Sequence, residues 1–389
     1  MKITRIAATP IRIPLTQFFY NTQGAGTKRE WDGRLSRRTP KRPSPMLEYV
    51  FVRVETDDGH TGVGEAPADV GFFGQTVEAI TVAINDYLGP LLVGRDPTDI
   101  AGLMERINFR ENSSAKSGID TALHDLVARA RGVSVCELLG GRRRDRIPVA
   151  VEIAGGSPDD MANACVRHLA DNVRAFKPKI GGVPAEDVSR LRAIRAAVGP
   201  DVSLRADANR GYSPDEAIEL CRLCEKHDVR LELLEQPVDA HDLPGMAKVR
   251  AAVSIPIEAD ESCFGPHDAE AVIRAGAADV LNIKVAKAGG FHNAMRIAKL
   301  AEEAGLKCVL GTAFGTGIAI AGKLHLAAAI GDFSGAVEFT ELRLHGPMLR
   351  GDADRDLSLP LDADGCLPVP RGPGLGVELD DAQVSRFAL

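Results

Sequence analysis

Four stretches in the middle of the chain share one pattern: DVSLRADANRG (201–211), LELLEQP (231–237), SIPIEADES (254–262) and VLNIKVAKAGG (280–290). Each is a short apolar run of strand character that ends abruptly in charge, at Asp207, Glu235, Asp260 and Lys284. Amphipathic helical segments separate them. Working outward, the same unit recurs on both sides. The predicted strands are Val149–Ile153, Val173–Lys179, Val202–Asp207, Val229–Glu235, Ile255–Asp260, Asp279–Lys284, Leu306–Gly311 and Ala336–Glu341. Their ends are spaced by 24 to 30 residues, the size of one βα unit. Eight such units predict an α/β protein built on a (β/α)8 barrel. A doubly wound sheet is the competing architecture, but no G-x-G-x-x-G follows an early strand.

The flanks read differently. Met1–Leu15 alternates, and Leu47–Glu55 and His60–Glu65 flank the turn Thr56-Asp57-Asp58-Gly59, a hairpin signal. Helical periodicity follows over Thr76–Val93, Thr98–Ile107 and Ser117–Arg131. The chain therefore divides into an α+β segment over 1–130, a barrel over 131–355 and a tail over 356–389. Between the first two strands, Gly24–Pro45 carries seven Lys or Arg against Glu30 and Asp32, either a solvated loop or a basic lid.

Composition narrows the function. The 389 residues hold 47 basic and 54 acidic side chains, a net charge of −7, which argues against a broad nucleic-acid face. No stretch is long and apolar enough to span a bilayer, and no secretory signal is visible at the start. Seven scattered cysteines fit reduced thiols and a cytoplasmic location. Cys221 and Cys224 form one C-x-x-C, but inside a helical pattern, so packing is expected there.

Strand parity gives the charges a direction. Lys177 and Lys179 share one face of their strand, opposite Phe176, Pro178 and Ile180. The outer face packs on helices, so both lysines face the barrel mouth, as do Asp207, Asp260 and Lys284. Asp207, Glu235 and Asp260 then converge from adjacent strands. Three buried carboxylates repel unless a cation neutralises them, and an all-oxygen set suits Mg²⁺, with Mn²⁺ as a substitute. Lysines beside such a cation are expected to have lowered pKa values, as acid/base groups require. Glu258 faces inward beneath Asp260 without an assigned role. Asn209 and Glu261 are expected to orient ligands or lysines.

At these residues the chain resembles the enolase superfamily, and within it the muconate lactonizing enzyme subgroup. The K-x-K of Lys177-Pro178-Lys179 carries the resemblance, with Asp207, Glu235 and Asp260 in RADAN, LLEQP and EADES, and with Lys284 in NIKVAKAGG. AKSGIDTALHDL, CELLGG and PRGPGLGVELD add to it. The resemblance implies an α+β cap, completed by the C-terminal segment, that closes over the barrel mouth. Its loops, here Phe18–Pro45 and Ala66–Gly74, would select the substrate. It further implies acid/base roles for Lys179 and Lys284, Mg²⁺ on the three carboxylates, a small carboxylate substrate and a homo-oligomer. Asn282, Gly311, Thr312 and Glu341 are expected against the substrate.

Three departures stand out. Pro178 removes a ladder donor, Gly315 stands where the cycloisomerases often carry Glu, and Thr340–Pro347 holds two residues more than their T-E-L-F-G-P. Cycloisomerisation of a muconate-like diacid is the first expected reaction. Racemisation or epimerisation of N-acylamino acids, dipeptides or proline derivatives comes next, followed by dehydration of a hydroxy acid. A phosphate-binding barrel using Gly311–Gly317, or a ligand binder without turnover, is the expectation outside this chemistry.

Overall fold

In the computed structural model, residues 1–15, 46–331, 333–342, 344 and 346–389 are described. The expected substrate-selecting loop Phe18–Pro45 with its basic stretch Gly24–Pro45, and Arg343 and His345 of the Thr340–Pro347 stretch, lie outside them.

The barrel forms where the sequence places it. Its strands are β4 (Arg146–Ile153), β5 (Ala175–Pro178), β6 (Ser203–Leu204), β7 (Ala206–Asp207), β8 (Leu234–Glu235), β9 (Ile257–Ala259), β10 (Val280–Ile283), β11 (Lys307–Leu310) and β12 (Val337–Glu338). Two parallel arcs, β12-β4-β5-β6 and β7-β8-β9-β10-β11, hold them. Single bridges, Lys179↔Asp207 and Cys308↔Phe333, join the arcs into a ring. The third barrel strand is thus split at Arg205. Its buried guanidinium donates to the carbonyls of Ala336 (2.8 Å) and Ser334 (2.9 Å) and pairs with Glu232 at 3.2 Å. Pro178 ends β5, and the Lys179 amide resumes the ladder by donating to the Ile153 carbonyl at 2.8 Å. The missing proline donor therefore costs the site no register.

The cap is a three-stranded antiparallel sheet, β1 (Ile3–Pro14), β2 (Met46–Thr56) and β3 (Thr61–Ala68), lying on the helix Ser113–Arg131. Glycine makes this close approach possible. A Cβ on Gly62 would lie 2.2 Å from the Ala122 carbonyl oxygen, and one on Gly64 2.1 Å from that of Gly118. The cap has an apolar cluster of its own, including Val50, Val52, Val54, Ile80, Ile119 and Leu123, all fully buried.

The AKSGIDTALHDL stretch on that helix stitches the molecule together. Asp120 accepts from the amide of Phe291 (2.5 Å), which starts the barrel helix Phe291–Glu303. Asp125 accepts from the amides of Val63 (2.9 Å) and Leu375 (2.7 Å) and pairs with Arg129 at 2.9 Å. The chain's tail adds β13 (Cys366–Pro368) antiparallel to β4. It ends in the helix Asp381–Phe387, with the Leu389 amide donating to the Pro10 carbonyl of β1 at 3.0 Å. Cys221 and Cys224 are buried in the helix Pro214–Lys226, and burial pushes both thiols up to about 12, which fits packing. Among the described residues no helix is long and apolar enough to cross a membrane.

Candidate active site

Five successive strand ends carry the site: Lys179 just past β5, Asp207 on β7, Glu235 on β8, Asp260 just past β9 and Lys284 just past β10. The order Lys–Asp–Glu–Asp–Lys is symmetric about Glu235. On one flank the Lys179 ammonium donates to Asp207 at 2.5 Å and lies 2.9 Å from Glu152. On the other, Lys284 donates to one oxygen of Asp260 at 2.6 Å. Lys287 donates to the second oxygen, also at 2.6 Å, and to the carbonyls of Asp260 and Asn282.

Lys177 sits at the middle of the barrel, fully buried. Its ammonium is 2.6 Å from Glu235, 2.7 Å from Glu338, 3.3 Å from Glu152 and 3.6 Å from Asp207. Asn282 donates its amide to Glu258 at 2.7 Å and, at 3.4 Å, to Glu235. The three predicted lysines and three predicted carboxylates are thus gathered in one network. Glu152, Glu338 and Lys287 belong to it as well, and the sequence reading had assigned them no role.

The electrostatics follow from this crowd. Burial alone would favour neutral amines. The carboxylates of Glu235, Glu338, Glu152 and Asp207 outweigh it and hold Lys177 well above the usual lysine range. Asp207 and Glu152 do the same for Lys179, and Asp260 and Glu235 for Lys284. The lowered values expected from sequence belong to lysines beside a bound cation, a case these carboxylate-only surroundings leave untested. Here the nearest neighbours of each ammonium are carboxylates, which favour its charged form. Glu258 is pushed up to about 7 by burial and by the neighbouring Glu338.

The donor set fits a hard cation. Six acidic groups (Glu152, Asp207, Glu235, Glu258, Asp260, Glu338) crowd round four amines (Lys177, Lys179, Lys284, Lys287), an excess of carboxyls that a divalent cation would relieve. Buried Oε2 of Glu258 and Oε2 of Glu338 have no donor. All available ligand atoms are oxygens. Among the described residues, the carboxylates with one oxygen each within 4.8 Å of one another are Glu235, Glu258 and Glu338. Asp207 and Asp260 are held by the flanking lysines instead, so Glu235 is the predicted ligand that belongs to this cluster.

Of the remaining expected residues, Gly311 and Glu341 reach a pocket between cap and barrel. Lys284, Gly311 and Glu341 line it from the barrel, and Glu65 and Pro67 from β3. A Cβ on Gly311 would lie 2.6 Å from Lys284 Cε and 2.4 Å from Asn282 Oδ1, so a glycine there leaves the lysine its path. Glu341 accepts from Thr312 and pairs with Lys323 at 2.7 Å. These two expected substrate contacts therefore meet each other. Asn209 donates to Glu261 at 3.4 Å and its amide to Asp207 at 2.8 Å, while Glu261 pairs with Arg210 at 3.2 Å.

Both parts of the chain match known protein families. Residues 37–140 match the family profile of the mandelate racemase / muconate lactonizing enzyme N-terminal domain, and residues 160–383 match the enolase C-terminal domain-like profile. The L-Ala-D/L-Glu epimerase of Clostridium acetobutylicum is 36% identical over 88% of this chain and 94% of that protein. The chloromuconate cycloisomerase of Cupriavidus pinatubonensis is 35% identical over 87% and 91%. The substrate-liganded structure of the Bacillus subtilis L-Ala-D/L-Glu epimerase superposes with a TM-score of 0.85 at 32% identity, covering 98% of this chain and all of that one.

Proposed function

Because the chain belongs to the mandelate racemase / muconate lactonizing enzyme family of the enolase superfamily, we propose that it moves a proton at the carbon beside a substrate carboxylate, with Lys179 and Lys284 acting on opposite faces. It is an isomerase of that superfamily. The observation that carries the finer reading is the symmetry of the strand ends, one lysine and one aspartate on each side of Glu235. A substrate carbon held over Glu235 has an amine on each side. A lone proton donor would need only one of them.

Asp207, Glu235 and Asp260 would hold Mg²⁺ or Mn²⁺, which supplies positive charge to the substrate carboxylate while the neighbouring carbon carries the electron pair. The chain's own residues do the rest. In the deprotonating direction one lysine takes the α-proton as the neutral amine, the form open to it once its aspartate partner would hold the cation instead. The other, as the ammonium, returns a proton to the opposite face, so configuration inverts and the two lysines exchange states. Lys177 is held by four carboxylates, which keeps it charged and fixes Glu235. Asn209 and Glu261 steady Asp207 from the side.

Racemisation or epimerisation of an N-acylamino acid, dipeptide or proline derivative is the substrate class this favours. Cycloisomerisation is the second reading, supported by cycloisomerase relatives at nearly the same identity as the epimerases. In that reaction Lys179 alone would deliver the proton. Proton NMR in D₂O with Mg²⁺, on a panel of N-acylamino acids, dipeptides, proline derivatives, hydroxy acids and muconate, tests both. Deuterium at the α-carbon with inversion is the expected result. Lactone formation from muconate without α-exchange in the amino-acid panel would replace the first reading with the second.

A further inference from the structure

The two flanks of the site are symmetric in their carboxylates but not in what covers them. The loop after β3 brings Phe72 over the barrel mouth, and the Lys284 ammonium lies 4.6 Å from the centre of its ring. On its other side Phe72 stacks on Phe264, with ring centres 5.3 Å apart and planes 27° from parallel. Phe264 follows the Asp260 strand end, and the Lys287 ammonium lies 5.8 Å from its ring. Lys284 and Lys287 hold the two oxygens of Asp260. The contacts close on themselves: Asp260 to Lys284, to Phe72, to Phe264, to Lys287 and back to Asp260.

The cap residue in this circuit is fixed by its own backbone. The Asp69 carboxylate accepts from the amides of Gly71 (2.7 Å) and Phe72 (3.1 Å), and its carbonyl accepts from the amide of Phe73 at 2.8 Å. Phe73 meets Phe72 edge to face at 5.0 Å. This ring is more than space-filling, because an aromatic face attracts an ammonium and does so more strongly away from water. Lys179 has no aromatic partner among the described residues.

We propose that Phe72 is a positioning residue for Lys284, locking the cap onto one of the two acid/base groups, while Lys179 meets no aromatic ring among the described residues. This rests on the two-lysine reading above. It goes beyond that reading in assigning the cap loop to a single face of the substrate. Proton transfer on the Lys284 face then depends on an aromatic ring at position 72, and transfer on the Lys179 face does not.

The test compares Phe72→Leu, which keeps an apolar side chain without a π-face, with Phe72→Tyr, which keeps the ring. In D₂O, each enantiomer of a turned-over substrate exchanges through one lysine, assigned with Lys179→Ala and Lys284→Ala. Phe72→Leu is expected to slow exchange on the Lys284 face about tenfold and to leave the other face within twofold. Phe72→Tyr is expected to keep the wild-type ratio. An equal fall on both faces, or none, would overturn the proposal.

A second measurement needs no turnover. In protein labelled with [ε-¹³C]lysine, the Lys284 signal, assigned by Lys284→Arg, should show an upfield ring-current shift that survives in Phe72→Tyr and vanishes in Phe72→Leu. Absence of that shift in the wild type overturns the proposal. Its presence in a protein that exchanges neither enantiomer would refute the two-lysine reading while leaving the Phe72 contact standing.

Discussion

The cap and the barrel mouth meet at one cavity and are built on opposite terms. In the cap, two glycines of β3 let the sheet rest on the backbone of the helix Ser113–Arg131, and fully buried aliphatic side chains fill the space around them. At the mouth, nine buried acidic and basic side chains, with the half-buried Lys179 beside them, meet where a stable barrel would place Val and Leu. The cap residues serve close packing. Those of the mouth carry like-charge crowding and desolvated ammonium groups, which a protein keeps only where chemistry needs them. Substitutions should therefore fail differently in the two regions.

The largest effect belongs to the mouth. Lys179→Ala and Lys284→Ala should each lower inversion by about 10³-fold in steady-state polarimetry, while the folded state persists by calorimetry. If either variant unfolded, the mouth would be serving stability as the cap does.

Next comes the metal, which separates two carboxylate sets of the same barrel. Asp260→Asn should weaken Mn²⁺ binding roughly 100-fold by isothermal titration, and Glu258→Gln should leave it within about threefold. The reverse pattern would assign the ion to Glu235, Glu258 and Glu338 instead.

Gly64→Ala probes the cap. Its Cβ would collide with the Gly118 carbonyl, so a loss of about 3 kcal/mol is expected in urea unfolding, with turnover per folded molecule unchanged within a factor of about three. A large change in turnover at normal stability would break the division between the regions.

The smallest effect lies at the seam. Glu65 of β3 accepts from the amide (2.8 Å) and hydroxyl of Thr316, which caps the barrel helix Gly317–Ala329, and burial pushes its carboxyl up to about 7. Its ordinary value is 4.5. The folded state therefore binds the proton more tightly than the unfolded chain. This stabilisation is complete below about 4.5 and is lost as pH rises through 7. Glu65→Gln should flatten the melting temperature across that window. An unchanged slope would remove Glu65 as its source.

Much of this was legible in the sequence for a simple reason. Barrel strands repeat, their parity is fixed, and a charge at a strand end has only one direction to face. Lys177, Lys179, Asp207, Glu235, Asp260 and Lys284 could be placed from that rule. Glu152 obeys the same parity beside Lys177, its neighbour in register, yet it lies within an apolar run and raised no flag. Lys287 was hidden because it lies one helical turn beyond Lys284 on a four-residue helix, where periodicity has no length to show itself. The Glu65–Thr316 and Phe72–Lys284 contacts join residues more than 200 positions apart, and no local pattern encodes them.

The account's central claim is that two lysines serve two faces of one carbon, and stereochemically resolved exchange tests it most directly. Each enantiomer of a turned-over substrate is incubated in D₂O with the wild type, with Lys179→Ala and with Lys284→Ala, and α-deuterium is followed by NMR. The account predicts that each variant keeps exchange of one enantiomer, loses the other and inverts neither. Loss of both enantiomers in Lys179→Ala, with both retained in Lys284→Ala, would show a single acid/base group and contradict it.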